Sequence, residues 1–145
     1  MYGARHYLIA WCGEAKDIRT FTLANIKEIS LTDEFFERQN GFDLQTYSER
    51  SFGVFQDEPV KVRWKFKASI ADDVREHMFH PTQTIEELED GSVIVSFTAA
   101  GLHEMCWHLF TWGDDVEVLE PSKLKDQYAT MVRSVMPLLG IQEAQ

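Results

Sequence analysis

Residues 60–67 read VKVRWKFK, and the alternation of apolar and basic side chains in this stretch decides the expected fold. At the two-residue period of a β-strand, one face carries the apolar side chains and the other the basic ones. The apolar positions are Val60, Val62, Trp64 and Phe66, and the basic positions are Lys61, Arg63, Lys65 and Lys67, called the basic row below. Because β-branched and aromatic residues suit a half-buried strand, the stretch predicts a strand with a basic open face.

Four like charges on one face repel one another unless opposite charges lie nearby. These could come from an anionic ligand such as a nucleic acid backbone, from acidic side chains on neighbouring strands, or from a partner subunit. The chain has 24 Asp and Glu against 14 Lys and Arg, a net charge of -10. Neutralisation within the protein is therefore the favoured interpretation, and the net charge argues against a general nucleic-acid coat.

The composition is that of a globular protein of one domain or two small ones. Among 145 residues, 44% are hydrophobic and 26% are charged, which excludes wholesale disorder. No apolar run reaches the roughly 20 residues that span a bilayer, and no signal peptide is evident. We therefore expect a cytoplasmic protein without a membrane partner. Cys12 and Cys106 lie too far apart to suggest a disulfide framework or a four-thiolate zinc site.

The N-terminal part predicts strands at residues 7–11, 18–21 and 27–31, the first two joined by a polar turn. Residues 34–58 are expected to form a packed linker with short helices near residues 34–38 and 44–49. From residue 60 onward the pattern predicts strand, helix, strand, strand, helix, strand, helix, with Asp90-Gly91 as a hairpin turn. This is the ferredoxin-like βαββαβ order with an extra C-terminal helix. In that topology the basic row lies centrally, on the face without helices, beside Ser92, Ile94, Ser96 and Thr98 of the neighbouring strand.

Several motifs in both halves of the chain resemble those of one known family. HYLIAW at residues 6–11, followed by DIRTFTLANI at 17–26, is similar to the latter half of a WYL domain. HPTQ at 80–83, EDGSV at 89–93 and TWGDDVEVLEPSKL at 111–124 resemble the extension that follows WYL domains. The resemblance implies an α+β fold in which a partial SH3/Sm-like β-barrel segment (residues 1–33) and a linker (34–58) precede a ferredoxin-like extension (59–145).

The same resemblance implies the ligand-sensing and dimerisation region of a bacterial regulator. The family's winged helix-turn-helix is missing from this sequence, so the chain is expected to be a fragment that meets duplex DNA only through that missing part. A half barrel is expected to be completed by a second copy through strand exchange, giving a homodimer. The alternative is a pure oligomerisation or protein-interaction module with no ligand.

The expected effector is single-stranded nucleic acid or another anion. Where the family commonly has two arginines, this chain has Thr22 and Asn25, so much of the charge available for phosphate is absent. The residues expected to contact the effector are Tyr7, Arg19, Lys61, Arg63 and Lys65.

No motif indicates catalysis, a cofactor or a metal. His103 and His108 are five residues apart, whereas the zinc-protease helix requires histidines four apart. His77 and His80 are three apart, but Pro81 follows them and no third ligand is near. The chain is therefore expected not to be an enzyme; His80 is expected to fix a turn, and Trp107 to anchor the core.

Overall fold

The computed structural model describes residues 6–37 and 41–141. The chain divides into two compact units, Met1–Tyr47 and Ser48–Gln145, which are described separately below. No helix in the described ranges is long and apolar enough to cross a membrane.

The N-terminal unit is built on an antiparallel hairpin. Strands β1 (Tyr7–Cys12) and β2 (Asp17–Thr22) pair along their whole lengths, and a 3₁₀ turn at Leu23–Asn25 follows. Helix α1 (Leu44–Glu49) begins in this unit and confirms the second of the two predicted linker helices. Asp43 precedes this helix and accepts the Thr46 N–H at 2.6 Å, which lowers the pKa of its carboxyl.

Two predictions for the N-terminal unit are wrong. Residues 27–31 form no strand, because no described strand lies beside them to take up their backbone hydrogen bonds. Residues 34–37 form no helix, and Arg38, the last residue of that predicted helix, lies outside the described residues. The described sheet of this unit has two strands and is not closed into a barrel.

The second unit has the predicted ferredoxin-like order. Its elements are β3 (Val60–Phe66), α2 (Ala71–Glu76), β4 (Thr84–Glu87), β5 (Val93–Ala99), α3 (Leu102–Phe110), β6 (Val116–Glu120) and α4 (Ser122–Val135). The strand order is β4-β5-β3-β6, and every neighbouring pair is antiparallel. This arrangement confirms an α+β fold with β3, the basic strand, at the centre.

The core lies on the apolar face of β3. Val62, Trp64 and Phe66 are completely buried, as the alternation predicted. They belong to one cluster with buried residues of the helices and the next strand, namely Val74, Val95, Phe97, Met105, Cys106, Leu109 and Leu124. Burial raises the pKa of the Cys106 thiol to about 11, so this cysteine behaves as a core residue.

One core prediction is wrong. Trp107 lies on the outer side of α3 with 52% of its surface exposed, and the tryptophan that anchors the core is Trp64. Helix α3 turns Met105, Cys106 and Leu109 inward, and at 100° per residue a helix that buries those positions points Trp107 away from them.

Candidate functional site: the basic row and its carboxylates

The register of the sheet places the basic row where the sequence predicted it. Lys61, Arg63 and Lys65 stand opposite Thr98, Ser96 and Ile94 of β5. Residues opposite one another in an antiparallel pair point to the same side of the sheet. Since Val62, Trp64 and Phe66 face the core, the basic row lies on the other face of the sheet, as expected.

Arg63 lies between carboxylates from two other strands. Its Nη2 is 3.5 Å from Glu86 of β4, and its Nη1 is 3.7 Å from Glu120 of β6. The arginine therefore connects both edge strands to the central strand. Its side chain is 29% exposed, so solvent screens these pairs only in part.

The two lysines that follow are also paired. The Lys65 ammonium lies 3.5 Å from Asp90, and two hydrogen bonds from Ser92, assisted by Lys65, hold the pKa of the Asp90 carboxyl below its usual value. The Lys67 ammonium lies 2.7 Å from Asp114 and 3.3 Å from Asp115. The bond to Asp114 raises the pKa of Lys67 and lowers that of Asp114.

Lys61 differs from the other members of the basic row. Within the described part of the chain, no carboxylate lies within ion-pair distance of its ammonium group. The favoured interpretation of the sequence, neutralisation by neighbouring acidic side chains, therefore holds for three of the four cations.

A surface cavity of about 400 Å³ adjoins Lys65 and Lys67. Its charged lining consists of these two lysines and four carboxylates, Asp90, Asp114, Asp115 and Glu117. With more acidic than basic groups around it, the cavity is poorly suited to phosphate. In residues 6–37 and 41–141, no group of three or more His, Cys, Asp or Glu side chains could hold a metal ion.

The hairpin separates two of the predicted site residues. Tyr7 pairs with Thr22 and Arg19 pairs with Ala10, so by the alternation of a strand they lie on opposite faces. Arg19 is 4.0 Å from Asp17 on its own face. Trp11 shares the face of Tyr7 and is 52% exposed. Tyr7 and Arg19 belong to the N-terminal unit and the basic row to the second unit, so the assignment of all five residues to one site stays a prediction.

His80 is buried and fixes more than the predicted turn. Its Nδ1 accepts the Thr82 N–H at 3.2 Å, so the ring proton is on Nε2, which donates to the Glu49 carbonyl at 2.7 Å. The ring also stacks on Phe97, with centroids 5.5 Å apart. His80 therefore connects the β4 side of the fold to the segment that precedes β3.

Two groups of important residues were not found from the sequence. Which acidic side chains near the β4–β5 hairpin would pair was not predicted: Glu86 pairs with Arg63, and Glu87 forms two hydrogen bonds with Arg75. The signal available for the first group was the predicted strand order. In that order only β5 lies between β4 and β3, which places the acidic side chains of β4 near the basic row. The second is Glu104, which follows His103 of the rejected zinc motif and is one of four buried polar residues in the described part of the chain.

Two family models match parts of this chain. The family model for the WCX domain matches residues 58–136, and that for the WYL domain matches residues 1–31. A solved structure, proteasome accessory factor B/C (PafBC) of Arthrobacter aurescens, is 13% identical with a TM-score of 0.45. The match covers 97% of this chain, and this chain spans 22% of the length of that protein. No curated protein matches the sequence.

The two domain matches point to a regulatory region of the WYL type rather than to a catalytic family. The chain belongs to the WCX domain family, through the match to residues 58–136, and carries WYL-domain sequence ahead of it. The resemblance to WYL-domain transcriptional regulators is thereby confirmed.

Proposed function

We propose that this chain is the dimerisation and effector-sensing region of a bacterial transcriptional regulator that works in the cytoplasm and catalyses no reaction. The pairing of a WYL with a WCX domain supports a regulatory role. In this proposal duplex DNA is bound by a helix-turn-helix that is not part of this sequence. Dimerisation is the part of the proposal that the geometry supports best.

The observation that carries dimerisation is a set of apolar side chains in solvent. Ile29, Leu31, Phe35 and Phe36 are each between 82% and 101% exposed. Burial of each would contribute about 1.5–3 kcal/mol before the costs of association. Ile29 and Leu31 alternate with polar residues at strand period, and within the described residues the β1–β2 sheet has two strands, so each strand has an unpaired edge there. We propose that residues 27–31 of one copy pair with this hairpin in a second copy.

The oligomeric state tests this proposal. Sedimentation at protein concentrations up to about 100 µM detects any association with a Kd below about 100 µM. We expect a dimer for the wild-type chain and a monomer for the Leu31→Ser/Phe35→Ser variant. The control is Leu138→Ser, which changes an equally apolar residue that is 83% exposed near the C-terminus and should leave the dimer intact. A wild-type monomer at every concentration would refute the proposal.

Effector binding is the second candidate function, with single-stranded nucleic acid or another anion as the ligand. Two observations favour it: the exposed Trp11 on the same face of the hairpin as Tyr7, which offers a stacking surface, and Lys61, which has no carboxylate within ion-pair distance in the described part of the chain. We propose Tyr7, Arg19, Lys61, Arg63 and Lys65 as the contact residues. The carboxylates beside Arg63 and Lys65 would compete with phosphate for them, which makes Lys61 the most informative cation to change.

A titration of a fluorescent single-stranded oligonucleotide at low and at physiological salt tests this second function. We expect saturable binding that weakens with salt, because phosphate contacts release counterions, and that is lost in Tyr7→Ala/Lys61→Ala. Lys125→Ala, which removes an exposed lysine of α4, is the charge-matched control and should bind as the wild type does. Absence of binding at low salt would reject nucleic acid as the effector. Charge reversal of Arg63 and Lys65 is a poor test, because it places new carboxylates beside Glu86 and Asp90.

A further inference from the structure

Glu104 is a buried carboxylate that no cation neutralises in the described structure. It is the third residue of α3 and is 7% exposed. Both carboxylate oxygens lie 2.8 Å from the Val54 nitrogen, and Oε2 also accepts the Phe55 N–H at 3.1 Å. Successive backbone N–H groups of this kind form a concave site for an anion. Here the anion is supplied by the protein itself.

Two glycines provide the space for this carboxylate. A Cβ atom on Gly53 would lie 2.2 Å from the Glu104 carboxyl carbon. This distance is too short for a side chain at position 53 unless the Glu104 carboxylate moves. A Cβ on Gly101 would lie 3.1 Å from Oε2, and Gly101 has a φ of +94°, which favours glycine in any case. The absence of a side chain at both positions therefore leaves room for the Glu104 carboxylate.

The contacts of Glu104 belong to a series that holds residues 50–57, called the connector below, against the rest of the second unit. The Phe52 N–H donates to the Ala100 carbonyl at 2.9 Å, and the Ala100 N–H donates to the Arg50 carbonyl at 3.0 Å. The Phe52 ring is buried 5.6 Å from that of Trp64. At the far end of the connector, the Asp57 carboxylate accepts the Gly101 N–H.

The connector precedes the region that the WCX family model covers. That match starts at residue 58, whereas the compact unit starts at Ser48. We infer that Glu104 is a positioning residue that holds the connector against the WCX domain, so that residues 50–57 fold as part of the second unit and do not act as a free linker. The connector is thereby held at the start of α3 and at the Trp64 side of the core, ahead of β3.

Amide hydrogen exchange on the full chain tests this inference. In Glu104→Ala, we expect exchange in the connector to rise by about tenfold or more through loss of the Val54 and Phe55 bonds. Exchange in the centres of β3 and β5 should stay as in the wild type. Glu104→Gln keeps one acceptor oxygen and should restore part of the protection. Glu76→Ala, which removes an exposed glutamate at the end of α2, is the control and should change nothing in the connector.

Gly53→Ala provides a second test that leaves α3 unaltered. Its methyl group would displace the Glu104 carboxylate, so this variant should also expose the connector. In a Glu104→Ala background the same change should have little further effect, which is the non-additivity expected of two residues in contact. Native-state proteolysis should cut the wild type only before Arg50, and both single variants also within residues 51–57. Unchanged connector exchange in both variants, or equal increases in the connector and in β3, would overturn the inference.

Discussion

Replacement of Trp64 by alanine is expected to lower the free energy of unfolding by about 3–5 kcal/mol, the range for removal of a large buried aromatic side chain. Trp64 is completely buried on the central strand. Its ring contacts those of Phe52, Phe79 and Phe97, at centroid distances of 5.0–5.7 Å. A cavity at this position would be lined by Phe52, Phe79, Phe97 and His108, which come from four separate parts of the chain, so it could not easily close. The loss is comparable to the whole stability of a small domain.

Urea unfolding followed by circular dichroism measures this loss, and two variants make the result specific. Trp64→Phe keeps an aromatic ring and removes Nε1, which has no hydrogen-bond partner in the described structure. We therefore expect it to cost less than about 2 kcal/mol. Trp107→Ala, on the exposed side of α3, should cost less than about 1 kcal/mol. Equal losses for Trp64→Ala and Trp107→Ala would contradict the assignment of Trp64 as the centre of the core.

Acid destabilisation between pH 6.5 and about 4 is the second large effect that we expect. Burial, with a smaller contribution from the charge of His77, lowers the pKa of His108 from 6.5 to about 4. The Trp112 indole N–H donates to His108 Nε2 at 3.0 Å, a bond that exists only while Nε2 is unprotonated. In this pH range the unfolded chain binds a proton that the folded chain does not. Lowering the pH therefore favours unfolding, by about 2–3 kcal/mol across the range.

Unfolding free energies measured from pH 8 to pH 4 test this expectation. His108→Gln should flatten the slope between pH 6.5 and 4, whereas His103→Gln, on the exposed side of α3, should leave it unchanged. The surface carboxylates with lowered pKa, such as Glu87 and Asp114, stabilise the fold above their unfolded pKa and lose this contribution at lower pH. Their effect falls mainly below the range assigned to His108. A wild-type curve that is flat down to pH 4 would contradict the expectation.

The second unit could be predicted from its sequence because its pattern is periodic and locally consistent. The alternation in β3, the Asp90-Gly91 turn and the apolar stripe of α3 each point to one structure, and together they specify the strand order. The N-terminal unit was harder to predict. Residues 27–31 have the composition of a strand, but a strand also needs a neighbouring strand, and none lies beside them in the described structure.

The position of the basic row was predicted from the sequence, but the carboxylates that pair with it were not. The alternation of apolar and basic residues located the basic row. The carboxylates that pair with it lie about 20 to 60 residues away in the sequence, and the strand register decides which of them reach it. The bulge between Arg63 and Trp64 in the pairing with β6, which helps to bring Glu120 to Arg63, leaves no pattern in the sequence. Glu104 was missed for a similar reason, since its partners are backbone N–H groups, which every residue except proline offers.

The carboxylates around the basic row act as internal competitors for whatever anion approaches it. Glu86, Asp90 and Glu120 lie outside β3, on β4, at the hairpin turn and on β6. Neutral residues at these three positions would release Arg63 and Lys65 without any change to the sequence of the basic strand. Affinity for anions in a WCX sheet can therefore be gained or lost through substitutions on the flanking strands alone. A basic strand in a related sequence predicts phosphate recognition only when its neighbours lack these acids.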